Sequence, residues 1–156
     1  MEVQIRKVDP QDSPQLALLL KEIGWFELFK NEPTKKASQQ VKTHIEQCLA
    51  DKSHSIFVAE SSDGSIIGYG SVHWLPYLSL GGPEGFVSEL FVRESGRGRG
   101  VGRRLLQVIE TEARARGCAR VSLINIRNRE SYRRRFYAKG GWEERAEAAN
   151  FIYLIR

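Results

Sequence analysis

Residues Arg93–Arg104 read RESGRGRGVGRR, with five arginines and four glycines among twelve residues. The two residue types serve opposite needs. Glycine lets the backbone bend or approach a ligand where a Cβ would obstruct, while arginine grips an anion through a planar, charged fork. The segment joins two well-marked elements. Before it, GFVSELFV (85–92) is predicted to be a strand. After it, Val101–Arg116 is predicted to be an amphipathic helix, with Val101, Leu105, Ile109 and Ala113 recurring every four residues. A helix start presents unpaired N–H groups and the positive end of the helix dipole. A pyrophosphate would use both the bare N–H groups and the arginine charge. The competing reading is a solvated Arg-Gly turn, and the quality of the flanking elements weighs against it.

Two other phosphate motifs fit poorly. A P-loop requires Lys-Ser or Lys-Thr after its last glycine, whereas Arg103–Arg104 follow Gly102. The dinucleotide fingerprint requires GxGxxG, and Gly98-Arg99-Gly100-Val101-Gly102 has different spacing.

Working outward, VQIRKVD (3–9) alternates as a half-buried strand does. Pro10 and the Asp12-Ser13-Pro14 cluster open a helix with Leu16, Leu19, Leu20 and Ile23 on one face, ended by Gly24. WFELFKNEP (25–33) is a connection or short extra turn, and Lys35–Asp51 is predicted helical. SIFVAE (55–60) and SIIGYGSVHWL (65–75) form a predicted hairpin around the SSDG turn. After the glycine-arginine loop and its helix come a strand, ARVSLINI (119–126), and a helix, Glu130–Lys139. Two final strands, WEERAE (142–147) and NFIYLI (150–155), close the chain. The order predicts an α/β fold: one mixed sheet with helices on both faces, in a single domain over 1–156.

The 41% hydrophobic and 28% charged residues are those of an ordinary globular chain. No apolar run approaches the roughly 20 residues that span a bilayer. Cys48 and Cys118 have no metal-ligand spacing, so the expectation is a reduced, cytoplasmic protein with no metal. The net charge of +5 is unevenly spread. Residues 93–139 carry fourteen Lys and Arg against four Asp and Glu, while the rest of the chain is acidic. Such segregation can focus a field on one ligand.

Arg97-Gly98-Arg99-Gly100-Val101-Gly102 resembles the Arg/Gln-x-x-Gly-x-Gly/Ala signature of the GNAT superfamily of N-acetyltransferases. Phe136-Tyr137-Ala138-Lys139-Gly140-Gly141-Trp142 is similar to that family's FYxxxGF stretch, with Trp142 in place of Phe. The element order is also the family's. The resemblance covers nearly the whole chain and is sharpest from Gly85 to Trp142. It implies that residues Arg97, Gly98, Arg99, Gly100, Val101, Gly102 and Arg103 bind the pyrophosphate of acetyl-CoA. It implies that Leu90, Phe91 and Val92 pair with the pantetheine arm, and that Asn125 lies near the thioester. It further implies that Tyr137 protonates the departing thiolate. At one position the chain departs from the pattern: Glu130 stands where the family often has asparagine, seven residues before the tyrosine.

Acetyl transfer to an amine requires a base, and Glu89 is the first candidate. On a regularly alternating strand it shares a face with Val87 and Phe91, whose apolar surfaces would raise its pKa. A carboxylate that simply binds a cationic substrate is the competing reading, and His73 and Glu84 are alternative bases. Phe136 is expected in the core, with Tyr137 turned about 100° from it on the helix. Arg133-Arg134-Arg135 is either a wet helix face or contributes one phosphate contact. Neither cysteine lies in a motif, so direct transfer is expected rather than an acyl-cysteine.

The acceptor is expected between Gly24–Pro33 and His73–Gly85. These hold Trp25, Phe26, Phe29, Trp74 and Tyr77, with Glu27, Glu32 and Glu84. Aromatics with carboxylates suit a small cationic amine, while core packing and surface charge explain them equally well. The expected function is therefore acetyl-CoA-dependent N-acetylation of a primary amine, with a homodimer left open. The alternatives are a catalytically silent acetyl-CoA sensor and a basic nucleic-acid-binding domain. The basic pI of about 9.4 invites the latter. Its basic residues lie in the cofactor half without interleaved stacking aromatics, which argues against it.

Overall fold

The computed structural model describes residues 2–155. The chain divides into two compact units, with the boundary between Ile124 and Asn125.

The first unit is built on a five-stranded sheet in the order β1-β2-β3-β4-β5. Its strands are β1 (Val3–Lys7), β2 (His54–Ser61), β3 (Ile66–Leu75), β4 (Glu84–Val92) and β5 (Arg120–Leu123). The first four are antiparallel neighbours, and β5 joins β4 in parallel, so the sheet is mixed as expected. The helices are α1 (Ser13–Ile23), α2 (Glu27–Lys30), α3 (Thr34–Leu49) and α4 (Val101–Ala115).

Side-chain alternation divides the sheet between two cores. On one face Ile56, Val58, Ile66 and Tyr69 are buried against Leu16, Leu19 and Leu20 of α1 and Ala37, Val41 and Ile45 of α3. On the other face, α4 buries Leu105, Leu106 and Ile109. It comes so close that a Cβ on Gly70 of β3 would meet Ile109 Cδ1 at 3.2 Å. The α1 helix stops where Gly24 takes the left-handed conformation, as its sequence predicts.

The second unit contains α5 (Glu130–Arg133) and a 3-10 turn at Ala138–Gly140. Three expectations are corrected here. The helix predicted to reach Lys139 ends at Arg133, and Arg135 adopts a positive φ of 56°, which a regular helix does not tolerate. The strand predicted over 119–126 is paired only over Arg120–Leu123. The segments 142–147 and 150–155 form no strand. Strand propensity alone does not make a strand, because its backbone groups need a neighbour to pair with.

Candidate active site

The strand β4 changes character along its length. Glu84–Val87 has a neighbour on each side: β3 on one, and Arg120–Leu123 of β5 on the other. Between Val87 and Glu89 the β3 register shifts, with Val72 facing Val87 and Ser71 facing Glu89, so Ser88 is an extra, bulged residue. From Ser88 to Val92 no β5 residue pairs with the strand. The backbone of Leu90, Phe91 and Val92 thus presents an edge that an extended ligand could join. At its end, the Val92 carbonyl accepts a hydrogen bond from Arg97 Nε at 3.2 Å.

The bulge corrects one sequence expectation. Ser71 and Val72 point to opposite faces of β3, so Glu89 and Val87 also lie on opposite faces of β4. Glu89 keeps Phe91 as a same-face neighbour and gains Tyr69, whose hydroxyl donates to Glu89 Oε1 at 3.2 Å. Burial raises the Glu89 pKa above the ordinary glutamate value, and the Tyr69 hydrogen bond and the charge of His44 offset this in part. Burial and the Glu89 charge together push the Tyr69 hydroxyl well above the usual tyrosine range. No Lys or Arg among the described residues forms an ion pair with Glu89.

Phe91 gathers the aromatic groups on this face. Trp25 and Phe26, from the α1–α2 connection, meet it edge-on at ring-centroid distances of 5.7 and 5.5 Å, and Tyr69 lies at 5.8 Å. The other acceptor candidates lie elsewhere. Phe29 is core. Trp74 is buried, donates from Nε1 to Ser55 Oγ at 2.9 Å and stacks under Arg116. Glu27 pairs with Lys30, Glu32 with Lys36, and Glu84 with Arg120 at 2.7 Å. Hydrogen bonds from Ser122, Tyr77 and Arg120 outweigh burial and hold the Glu84 carboxyl below its usual pKa, so it is not a poised base.

His73 Nε2 lies 2.8 Å from Ser88 Oγ at the bulge, and its ring packs against His54 at 4.0 Å. Burial and the neighbouring His54 lower its pKa. Sequence reading named His73 but gave no sign that the bulge would deliver a serine hydroxyl to it. Cys48 packs at the edge of the α1–α3 core. Burial and the Glu89 charge raise the pKa of its thiol, which suppresses the thiolate a nucleophile would need.

The loop leading to α4 is glycine-rich for a conformational reason. Gly98 and Gly100 have φ of 72° and 75°, and a Cβ at either would meet nothing within 4 Å. Their side is open, and the left-handed backbone is what excludes other residues. Gly100 caps α4 without any side-chain hydrogen bond to the helix amides. The first intrahelical bond runs from Arg104 N to the Gly100 carbonyl, so the amides of Val101, Gly102 and Arg103 precede the helical ladder. Arg97 and Arg99 are exposed beside this open start, and Arg103 is half-buried. This combination fits the phosphates of a nucleotide-like cofactor.

In the second unit Asn125 Oδ1 accepts from Ser131 Oγ at 2.9 Å, anchoring the start of α5. Tyr137 is half-buried between Phe136 and Trp142, with ring centroids 5.0 and 6.1 Å away. Burial raises its pKa, and the charge of Arg134 partly opposes that. The helical argument for separating Phe136 from Tyr137 does not apply, because α5 has ended before either. Arg134 stacks over the Phe136 ring at 5.4 Å, giving one member of the arginine run a local role.

A model of the acetyltransferase (GNAT) family matches residues 22–142, well over half of the chain. The chain belongs to the GNAT family. It is 32% identical over 77 residues to an aminoglycoside N(6')-acetyltransferase type 1 of Stenotrophomonas maltophilia, a match covering 47% of this chain and 50% of that protein. It is 34% identical over 99 residues to an IAA acetyltransferase of Azospirillum brasilense, covering 64% and 61%. These matches thus span about half to three-fifths of the curated relatives. Among solved structures, a transcriptional regulator from Bacillus halodurans C-125 superposes with a TM-score of 0.81 at 24% identity, covering 97% of this chain and 100% of that one. That likeness concerns the fold. Among the described residues no helix is long and apolar enough to cross a membrane, and no cluster of His, Cys, Asp or Glu could hold a metal.

Proposed function

We propose that this GNAT chain is an acetyl-CoA-dependent N-acetyltransferase acting by direct transfer on a primary amine of a small cationic molecule. One observation carries the reading. Glu89 is a half-buried carboxylate without a Lys or Arg partner, set beside the aromatic group around Phe91 at the point where β4 loses its β5 neighbour. A cationic amine is the ligand that such a carboxylate and such rings would together attract.

The residues divide the work. Acetyl-CoA supplies the activated acyl group as a thioester. The open edge of Leu90, Phe91 and Val92 aligns its extended arm, and the backbone N–H groups there are oriented to stabilise charge developing on the carbonyl oxygen. Gly98, Gly100 and Gly102, with Val101 between them, bring bare amides to the phosphates. Arg97, Arg99 and Arg103 add charge. Glu89 removes the proton from the incoming ammonium, a task suited to a carboxylate with a raised pKa. Tyr137, kept protonated by burial, donates to the departing sulfur, and Asn125 orients the neighbouring loop through Ser131. The two partly matched relatives named for acetyltransferases support the class of reaction, and the acceptor is read from Glu89 and its rings.

The test is a panel of amines offered with acetyl-CoA and scored by release of free thiol. Thermal melts with acetyl-CoA alone run in parallel, since a ligand that binds the native state raises the melting temperature. Turnover with small cationic amines, and weak turnover with neutral or anionic ones, is the expected result. A melting shift without thiol release for any amine would favour a silent acetyl-CoA sensor. No shift in folded protein free of copurified CoA would overturn both readings.

A further inference from the structure

Within β4, Ser88 is the residue that β3 leaves unmatched. A bulged residue gives up its place in the ladder. β5 lends no support at this point, since its pairing stops at Val87. The backbone ladder alone therefore does not fix where the extra residue sits.

A side chain supplies what the ladder lacks. His73 Nε2 lies 2.8 Å from Ser88 Oγ, across the β3–β4 pair. His73 faces Phe86 and Ser71 faces Glu89, so these four side chains share one face of the sheet. Ser88 reaches His73 on that same face. Ser88 and Glu89 thus project together although they are adjacent in sequence, as a bulge allows. Strict alternation after Ser88 would instead put Glu89 on the opposite face, toward α4 and away from Tyr69.

The histidine is itself held. Its ring meets that of His54 edge-on at 4.0 Å and lies 6.3 Å from that of Phe86. His54 Nδ1 in turn lies 2.9 Å from Ser53 Oγ. A serine hydroxyl both donates and accepts, so the bond to Ser88 forms with either neutral tautomer of His73.

We propose that His73 is a positioning residue for Glu89: its bond to Ser88 fixes the bulge, and the fixed bulge turns the Glu89 carboxylate onto the face of Tyr69 and Phe91. This rests on the reading of Glu89 as the base. His73, an alternative base by sequence, then acts through Glu89 and touches no reacting atom.

The test compares His73→Phe, Ser88→Ala and the double variant with the wild type, by two readouts. The first needs no acceptor: the Glu89 carboxyl is titrated by carbon-13 NMR in glutamate-labelled protein. Either single change should lower the Glu89 pKa toward the ordinary glutamate value by about half a unit or more. The second is turnover with the best amine acceptor. There kcat should fall about three- to tenfold, the net worth of one hydrogen bond, with acetyl-CoA affinity unchanged. The double variant should be no worse than either single one, because both remove the same bond. His73→Gln, whose amide can also bond to Ser88, should recover most of the loss. A Glu89 titration unchanged in both single variants, additive losses in the double variant, or a glutamine variant as poor as the phenylalanine one would each sink the proposal. If no amine is acetylated, the reading of Glu89 as the base fails, while the NMR titration still decides whether His73 sets its position. Should His73→Phe not fold, Ser88→Ala decides alone, since that side chain is exposed.

Discussion

The two halves of β4 have nearly the same composition and opposite roles. Glu84–Val87 is held from both sides by β3 and β5, and its carboxylate, Glu84, is 5% exposed and tied to Arg120. Ser88–Val92 is held from one side, and its carboxylate, Glu89, accepts a hydrogen bond from a tyrosine hydroxyl at 3.2 Å and has no Lys or Arg ion-pair partner among the described residues. The same functional group is neutralised by an arginine in one half and, among the described residues, has no Lys or Arg ion-pair partner in the other. What distinguishes them is whether a cation of the protein already neutralises the charge. A single inserted residue, Ser88, separates the two settings.

The largest effect expected from this contrast is on catalysis. Glu89→Gln should reduce kcat by about 10²–10⁴-fold, the usual contribution of a positioned base, and leave acetyl-CoA affinity intact. The deficit should shrink at high pH, where more of the amine is already deprotonated. Stability should move the other way. Because the folded-state pKa of Glu89 is raised, its favourable contribution is complete below the ordinary glutamate value and is lost as pH rises through the folded pKa. At neutral pH the variant should therefore melt no lower than the wild type. Stopped-flow rates and melts across pH check both, and a loss confined to the acceptor KM would make Glu89 a binding carboxylate only.

Tyr137→Phe should lower kcat by about tenfold or more, since water substitutes partly for a missing acid. The deficit should narrow with a thioester whose thiol has a lower pKa. Wild-type turnover with chemistry rate-limiting would remove the hydroxyl from the mechanism.

In the paired half, Arg120→Ala should cost about 1–2 kcal/mol. This is less than a fully buried pair loses, because Arg120 is itself 43% exposed. Glu84 has a lowered pKa, so its contribution is present above the ordinary carboxylate range and disappears as pH falls through the folded value. Denaturant melts should show the two proteins converging toward acid, with the kcat of the folded variant near that of the wild type. The smallest change is Gly98→Ala. A left-handed backbone costs a Cβ-bearing residue about 1–2 kcal/mol, part of which the exposed loop can relax. Calorimetry should find acetyl-CoA affinity reduced more than this stability loss predicts.

The legible parts of the sequence were those governed by local rules. The four-residue recurrence from Val101 to Ala113 specified α4, and glycines at positive φ marked its entry and the end of α1. Strand β4 was legible as a strand, but the bulge was not, since alternation carries no record of an extra residue until the partner strand is known. Trp74 and Glu84 had the right chemistry for an acceptor site. They proved structural because Ser55, Arg116 and Arg120, remote in sequence, reach them first. The final strands failed for a related reason: a strand requires a partner, and no local pattern names one.

Tyr69 has its ring among the packed side chains of α1 and α3 and its hydroxyl on the Glu89 carboxylate. Packing and acidity therefore share one lever. A core substitution that tilts this ring changes how well the carboxylate is hydrogen-bonded, and with it the pH at which Glu89 takes up a proton. With Glu89 as the base proposed above, selection for thermal resistance in the α1–α3 core would shift the pH optimum as a side effect, with the proposed site residues themselves unchanged.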